Sequence, residues 1–170
     1  MEIKSRKLAY DGYFKIDELT IEHEGATFTR EQFKRGDAVA ALVYDTEQQL
    51  YVLTRQYRTG PEHELVEVVA GMVDEGESPE ESIKREVEEE IGYHVEKMEH
   101  LHTFYSSPGG CTERVFLYYA EVSKQHASGG GNEHENEHIE ILRYTTQELA
   151  ELVTQDAKTI IAQQWVRLKK

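Results

Sequence analysis

At 170 residues and a formal net charge of -14, the chain fits one folded domain with a sizeable core, and its acidity disfavours nucleic acid and anionic membrane as partners. No stretch has the character of a signal peptide or a membrane span, and the lone Cys111 cannot close an internal disulfide. A soluble protein of a reducing, cytoplasmic compartment is expected.

In chain order, Phe14, Ile16, Leu19 and Ile21 suggest extended structure between Lys7 and Glu24, and a second extended stretch follows at Ala26 to Phe33. Such a hairpin is marginal alone. Residues 1–36 are therefore expected to form an arm that packs on the main domain, residues 37–170, or on a second subunit. Asp37 to Asp45 and Leu50 to Arg55 are short apolar runs joined by a polar turn, which reads as two central strands. Arg55 and Arg58 then leave the sheet edge, where a phosphate can be met. Glu62 and His63 read as loop, and Glu64 to Gly71 as one strand.

Ser78 to Gly92 carries the signals of a helix: an N-cap serine, Pro79 at the first helical position, Glu81 to complete a capping box, and a terminal glycine. Ile83, Val87 and Ile91 recur every fourth residue and turn one stripe to a core. Beside that stripe stand Glu86, Glu89 and Glu90, at spacings that gather three carboxylates on one face. Like charges so placed cost roughly a few tenths of a kcal/mol per pair. A solvated acidic surface explains this pattern, and so does a hard divalent cation such as Mg²⁺ with oxygen ligands.

Beyond the helix, Glu99 to Tyr105 and Glu113 to Val122 alternate as strands do, with a tight turn at Pro108, Gly109 and Gly110 between them. Ser128 to His138 is polar and glycine-rich, so it reads as a loop; its His134 and His138 are weak evidence for a transition-metal site. Ile139 to Arg143 is expected as the last strand. Thr145, with Glu148, caps one helix, and Asp156 opens another whose apolar side is Ile161, Trp165 and Leu168. Trp165 is expected in the core.

The full spacing of Gly71, Glu77, Arg85-Glu86, Val87, Glu89-Glu90 and Gly92 resembles the signature of the Nudix hydrolases. Tyr93 departs from it, at a packing position where that family usually has an aliphatic residue. The resemblance implies an α/β fold, an α/β/α sandwich with a mixed sheet. It also implies that Glu86, Glu89 and Glu90, with the Ala70 carbonyl, hold Mg²⁺, for which Mn²⁺ is a possible substitute, and it makes Glu89 a catalytic candidate as well.

Nearly the full length is similar to the ADP-ribose and GDP-mannose pyrophosphatase branch. On that likeness Tyr13 matches an aromatic that stacks on the nucleobase. Arg30 and Glu31 match a pair that reaches across a homodimer with swapped amino-terminal arms. Arg58 matches an arginine on the substrate's phosphates, Glu67 a residue that buttresses the metals or touches substrate, and Pro108 lies in a Ser-Pro-Gly marker. Glu135 aligns with the general base, with Glu137 as second candidate. The implied reaction is Mg²⁺-dependent cleavage of the pyrophosphate of a nucleoside-diphosphate sugar, ADP-ribose to AMP and ribose 5-phosphate. GDP-mannose is the alternative substrate, and a non-hydrolytic nucleotide-sugar sensor the alternative class.

Overall fold

A computed structural model describes residues 1–131 and 138–169. The chain forms two compact units, Met1–Asp37 with Phe104–Val115, and Ala38–Thr103 with Phe116–Lys170. The first holds a three-stranded antiparallel sheet, β1 (Glu2–Asp11), β2 (Lys15–His23) and β3 (Ala26–Lys34). The sequence suggested one extended stretch from Lys7 to Glu24. The structure divides that region at Gly12, whose N–H donates to the Phe14 carbonyl, and adds β1, which is exposed along its whole length. An exposed strand carries no alternation of apolar and polar residues to betray it.

The larger sheet has the order β10-β5-β4-β9-β8. Its strands are β4 (Ala38–Asp45), β5 (Leu50–Arg58), β8 (Lys97–Tyr105), β9 (Arg114–Val122) and β10 (Glu140–Tyr144). Two short strands complete it: β6 (His63–Glu67) pairs with β5, and β7 (Val69–Met72) pairs with β4. The single strand expected from Glu64 to Gly71 is thus two. The chain changes partner at Val68, whose N–H is taken by the Thr159 hydroxyl at 2.8 Å rather than by a neighbouring strand. His63, expected in a loop, is the first residue of β6.

β4 is buried on both faces, as a central strand between helical layers must be. Val39, Ala41 and Val43 share a core with Ile83, Val87 and Ile91 of helix α1 (Pro79–Ile91). Ala40 and Leu42 point the other way, toward the side covered by α2 (Thr146–Glu151) and α3 (Ala157–Leu168). This is an α/β/α arrangement around a mixed sheet.

The side that α3 buries is not the one expected. Thr159, Ala162, Gln163 and Val166 face inward, whereas Leu168 is 86% exposed and Trp165 only partly covered, its ring tilted against Tyr119. A polar residue is drawn inside because Gln163 Nε2 donates to the carbonyls of Leu149 and Leu152 at the end of α2, where helical partners run out. Among the described residues no helix is long and apolar enough to cross a membrane.

Candidate active site

α1 begins as its sequence dictates. Ser78 accepts the N–H of Glu81, Glu81 accepts that of Ser78, and Gly92 ends the helix at a left-handed φ of 72°. These stops fix the helical phase, which settles where the carboxylates go. Glu86 and Glu90 are buried, and Glu89 is exposed beside them. Glu90 Oε2 accepts the N–H of Ala70 at 3.4 Å. The Glu86 carboxylate lies flat against Gly71, where a Cβ would stand 2.0 Å from its Cδ and Oε1. The box glycine is therefore a cradle for a carboxylate.

Arg85 gathers the acids. Its Nη1 donates to Glu86 Oε1 at 2.8 Å and to Glu89 Oε2 at 3.1 Å, and its Nη2 donates to the Met72 carbonyl at 3.2 Å. Its Nε donates to Glu77 Oε2 at 3.4 Å, and Asp74 lies 3.3 Å from Nη2. Burial alone would lower the pKa of the guanidinium; Glu86, Asp74 and Glu77 outweigh it and raise that pKa above the ordinary value. The sequence marked Arg85 as part of the signature without assigning it a task. The i, i+4 spacing from Arg85 to Glu89 was the available signal.

The donor set fits a divalent cation. Glu86, Glu89 and Glu90 offer only hard carboxylate oxygens, two of the acids are withdrawn from water, and the wall behind Glu86 carries no competing side chain. A cation here would add to the positive charge that Arg85 already supplies.

A second charged group lies where β5, β6 and the start of α3 meet. Arg58 donates through Nε to Glu67 Oε1 at 2.7 Å and through Nη2 to Glu67 Oε2 at 2.9 Å. Glu67 is 2% exposed and also accepts from Lys158 Nζ at 3.2 Å, while the same ammonium reaches Asp156 Oδ1 at 2.6 Å. Burial would lower the pKa of Arg58, and the bond to Glu67 with the charges of Glu67, Glu90 and Asp156 raises it. The resemblance implied phosphate contact for Arg58 and a supporting role for Glu67; here the two are a bidentate pair. Lys158 escaped sequence reading and Asp156 was read only as the residue that opens α3, since nothing local connects either of them to Glu67.

Tyr13, Arg30, Glu31 and Pro108 belong to the other unit. Tyr13 is 95% exposed and edge-on to Phe14. Arg30 lies over the Phe28 ring. Pro108 opens a turn in which Cys111 N donates to the Ser107 carbonyl, and Phe33 N donates to Gly110 O at 2.7 Å, tying the turn to β3. Glu31, Phe33, Arg35, Ser107 and Glu113 are among the residues lining a cleft of about 520 Å³ there. A smaller cavity, about 360 Å³ beside Trp165 and Lys169, includes none of the α1 acids. Glu135, Glu137 and His134 lie outside the described residues.

The NUDIX domain matches residues 34–164. The chain is 34% identical over 184 residues to GDP-mannose pyrophosphatase of Cronobacter sakazakii, covering 99% of this chain and 96% of that one. It is 32% identical over 187 residues to ADP-ribose pyrophosphatase of Haemophilus influenzae, covering 99% and 86%. A solved structure titled as an ADP compounds hydrolase superposes with a TM-score of 0.78 at 18% identity, covering 99% of this chain and 95% of that one, which bears on the fold alone. Hydrolases of this kind use divalent metal ions, for which the α1 acids are suited. With its domain match spanning most of the length, and with pyrophosphatases as relatives from end to end, this chain belongs to the Nudix hydrolase family.

Proposed function

We propose that the protein hydrolyses the pyrophosphate of a nucleoside-diphosphate sugar with Mg²⁺ as cofactor, and that ADP-ribose, giving AMP and ribose 5-phosphate, is its first substrate. The observation that carries this reading is the buried pair Glu86 and Glu90, one lying on Gly71 and the other on the Ala70 N–H. In a strand a residue's N–H and carbonyl point to the same edge, so the Ala70 carbonyl is directed toward the same acids. Glu86, Glu89, Glu90 and that carbonyl would hold the cation. Such an ion neutralises charge on the diphosphate and acidifies water, and Mn²⁺ supplies the same chemistry.

The chain's own residues do the rest. Arg85 holds Glu86 and Glu89 in place, which limits the reorganisation needed as the site fills. Arg58 is fixed by Glu67, which Lys158 holds in turn, and its charge is secured, a setting suited to an anionic substrate. Glu135, or Glu137 in its stead, takes a proton from the attacking water. Glu89 is the exposed acid of the three and stands as the third candidate for that role.

Residues 1–36 serve as a dimerisation arm attached to the hydrolase domain 37–170. Ile3, Leu8 and Tyr10 on exposed β1 support this, because a small sheet gains from covering apolar side chains with a second copy. Tyr13, Arg30 and Glu31 would then contact the nucleoside and Pro108 the bound sugar nucleotide. A cytoplasmic setting accords with the single cysteine.

GDP-mannose is the second reading, favoured by the relative of that name at 34% identity. Incubation with Mg²⁺ and a panel of nucleotide sugars, with products resolved by chromatography, separates the two. AMP released fastest from ADP-ribose is the expected result. Binding without turnover of any panel member, with Mg²⁺ or Mn²⁺, would leave a sensor.

A further inference from the structure

On the face of α1 opposite the buried acids, Glu88 is approached by two histidines. Its Oε2 lies 3.5 Å from His94 Nδ1 and its Oε1 lies 3.8 Å from His126 Nε2. One ligand atom from each of the three residues can be chosen so that all lie within 4.8 Å of one another. The imidazoles are stacked, with centroids 3.7 Å apart. Their backbones are not free to drift: Tyr93 and Gln125 form an antiparallel bridge, His126 N donates to the Gly92 carbonyl at 2.9 Å, and Gln125 Nε2 donates to Ile91 O at 3.0 Å.

We propose that Glu88, His94 and His126 form a second metal site, for a borderline divalent ion such as Zn²⁺ or Cu²⁺. Tetrahedral ligands at about 2.0–2.2 Å from Zn²⁺ stand roughly 3.4 Å apart, close to the 3.5 and 3.8 Å between Glu88 and the two histidines. All three side chains are exposed enough to adjust around an ion. Imidazole nitrogen selects this class of ion over Mg²⁺, which prefers the all-oxygen set on the other face. The electrostatics agree. The site sits at the carbonyl end of α1, no basic residue occupies the last helical turn, and the chain as a whole carries a charge of -14. An ion here would clamp the segment after Lys124 to the end of α1, with the remaining coordination position open to water.

The test is isothermal titration of the full-length protein with Zn²⁺ in excess Mg²⁺, alongside the continuous-wave EPR spectrum of added Cu²⁺. The wild type should bind one Zn²⁺ and show hyperfine coupling to imidazole nitrogen. A Glu86→Gln, Glu90→Gln variant should keep both signals. A His94→Ala, His126→Ala variant should bind Zn²⁺ more than about tenfold more weakly and lose the coupling. Glu88→Gln, which keeps both rings, should weaken binding while leaving nitrogen coupling in place. No binding by the wild type, binding undiminished in the histidine variant, or binding lost when Glu86 and Glu90 are changed would each overturn the proposal. Circular dichroism of each variant confirms the fold, and the Glu88→Gln arm carries the test if the histidine variant does not fold.

Discussion

Gly71 leaves the Glu86 carboxylate a space that no other residue type leaves, for an added Cβ would stand 2.0 Å from its Cδ and Oε1. The clash is with the far end of a flexible side chain, so the chain can relieve it by swinging the carboxylate away. Gly71→Ala should therefore change stability by about 1 kcal/mol or less while lowering turnover roughly 10- to 100-fold. Thermal melts and a Mg²⁺ titration of the rate check both halves. Turnover at the wild-type level would mean that the position of Glu86 is immaterial to the reaction.

Arg85 is the counter-ion of four acids, contacting Asp74, Glu77, Glu86 and Glu89. Arg85→Ala would leave buried Glu86 facing its neighbours without that cation, and should destabilise the protein by about 1–3 kcal/mol in EDTA. Divalent metal supplies positive charge to the same carboxylates. The deficit should shrink when urea unfolding is repeated in Mg²⁺, and an equal deficit in both buffers would show that the acids and the ion do not share a site.

Much of this was legible because it is local. The serine cap, the capping box and the glycine stop of α1 fix its phase, and the phase puts Glu86 and Glu90 inside and Glu89 out. What was illegible depends on residues far along the chain. The break at Val68 exists because Thr159 takes its N–H, and Glu67 is held by a lysine that no spacing rule connects to it. The buried side of α3 was misread for the same reason, since Gln163 is inside to satisfy carbonyls of another helix. The exposed β1 had no buried face to impose alternation.

Tyr93 shows how a departure from a family pattern is accommodated. The ring is fully buried in the core, and its hydroxyl donates to Asp45 Oδ2 at 2.9 Å. Burial raises its pKa, with Asp45 adding to the effect. Tyr93→Phe keeps the ring and removes a donor to a buried carboxylate that still receives Gln48 Nε2. A loss of about 1–2 kcal/mol is expected, with turnover unchanged. Denaturant unfolding and a rate measurement decide; an unaltered midpoint would mean that water or Gln48 makes up the lost bond.

Asp156 caps the start of α3 and holds Thr159 and Lys158, which reach Val68 and Glu67, and it should give the protein a definable acid limb. Its Oδ2 accepts from Thr159 N at 2.9 Å and Thr159 Oγ1 at 2.6 Å, and Lys158 Nζ donates to Oδ1 at 2.6 Å. Burial alone would raise the carboxyl's pKa; Lys158 and the bonds from Thr159 outweigh it and hold it below the ordinary 3.8. A group whose pKa is depressed by folding adds stability above its unfolded value, and that contribution is lost as pH falls below 3.8 and through the lower folded value. Asn at this position still caps a helix but carries no charge. Asp156→Asn should thus cost about 1–3 kcal/mol at pH 7, and the gap between variant and wild type should narrow as pH drops below the ordinary value. Contributions of carboxylates that share no partner with Asp156 cancel in the difference. Urea unfolding of both proteins along a pH series is the measurement, and a gap that stays constant from neutral to acid would show that the charge on Asp156 contributes nothing.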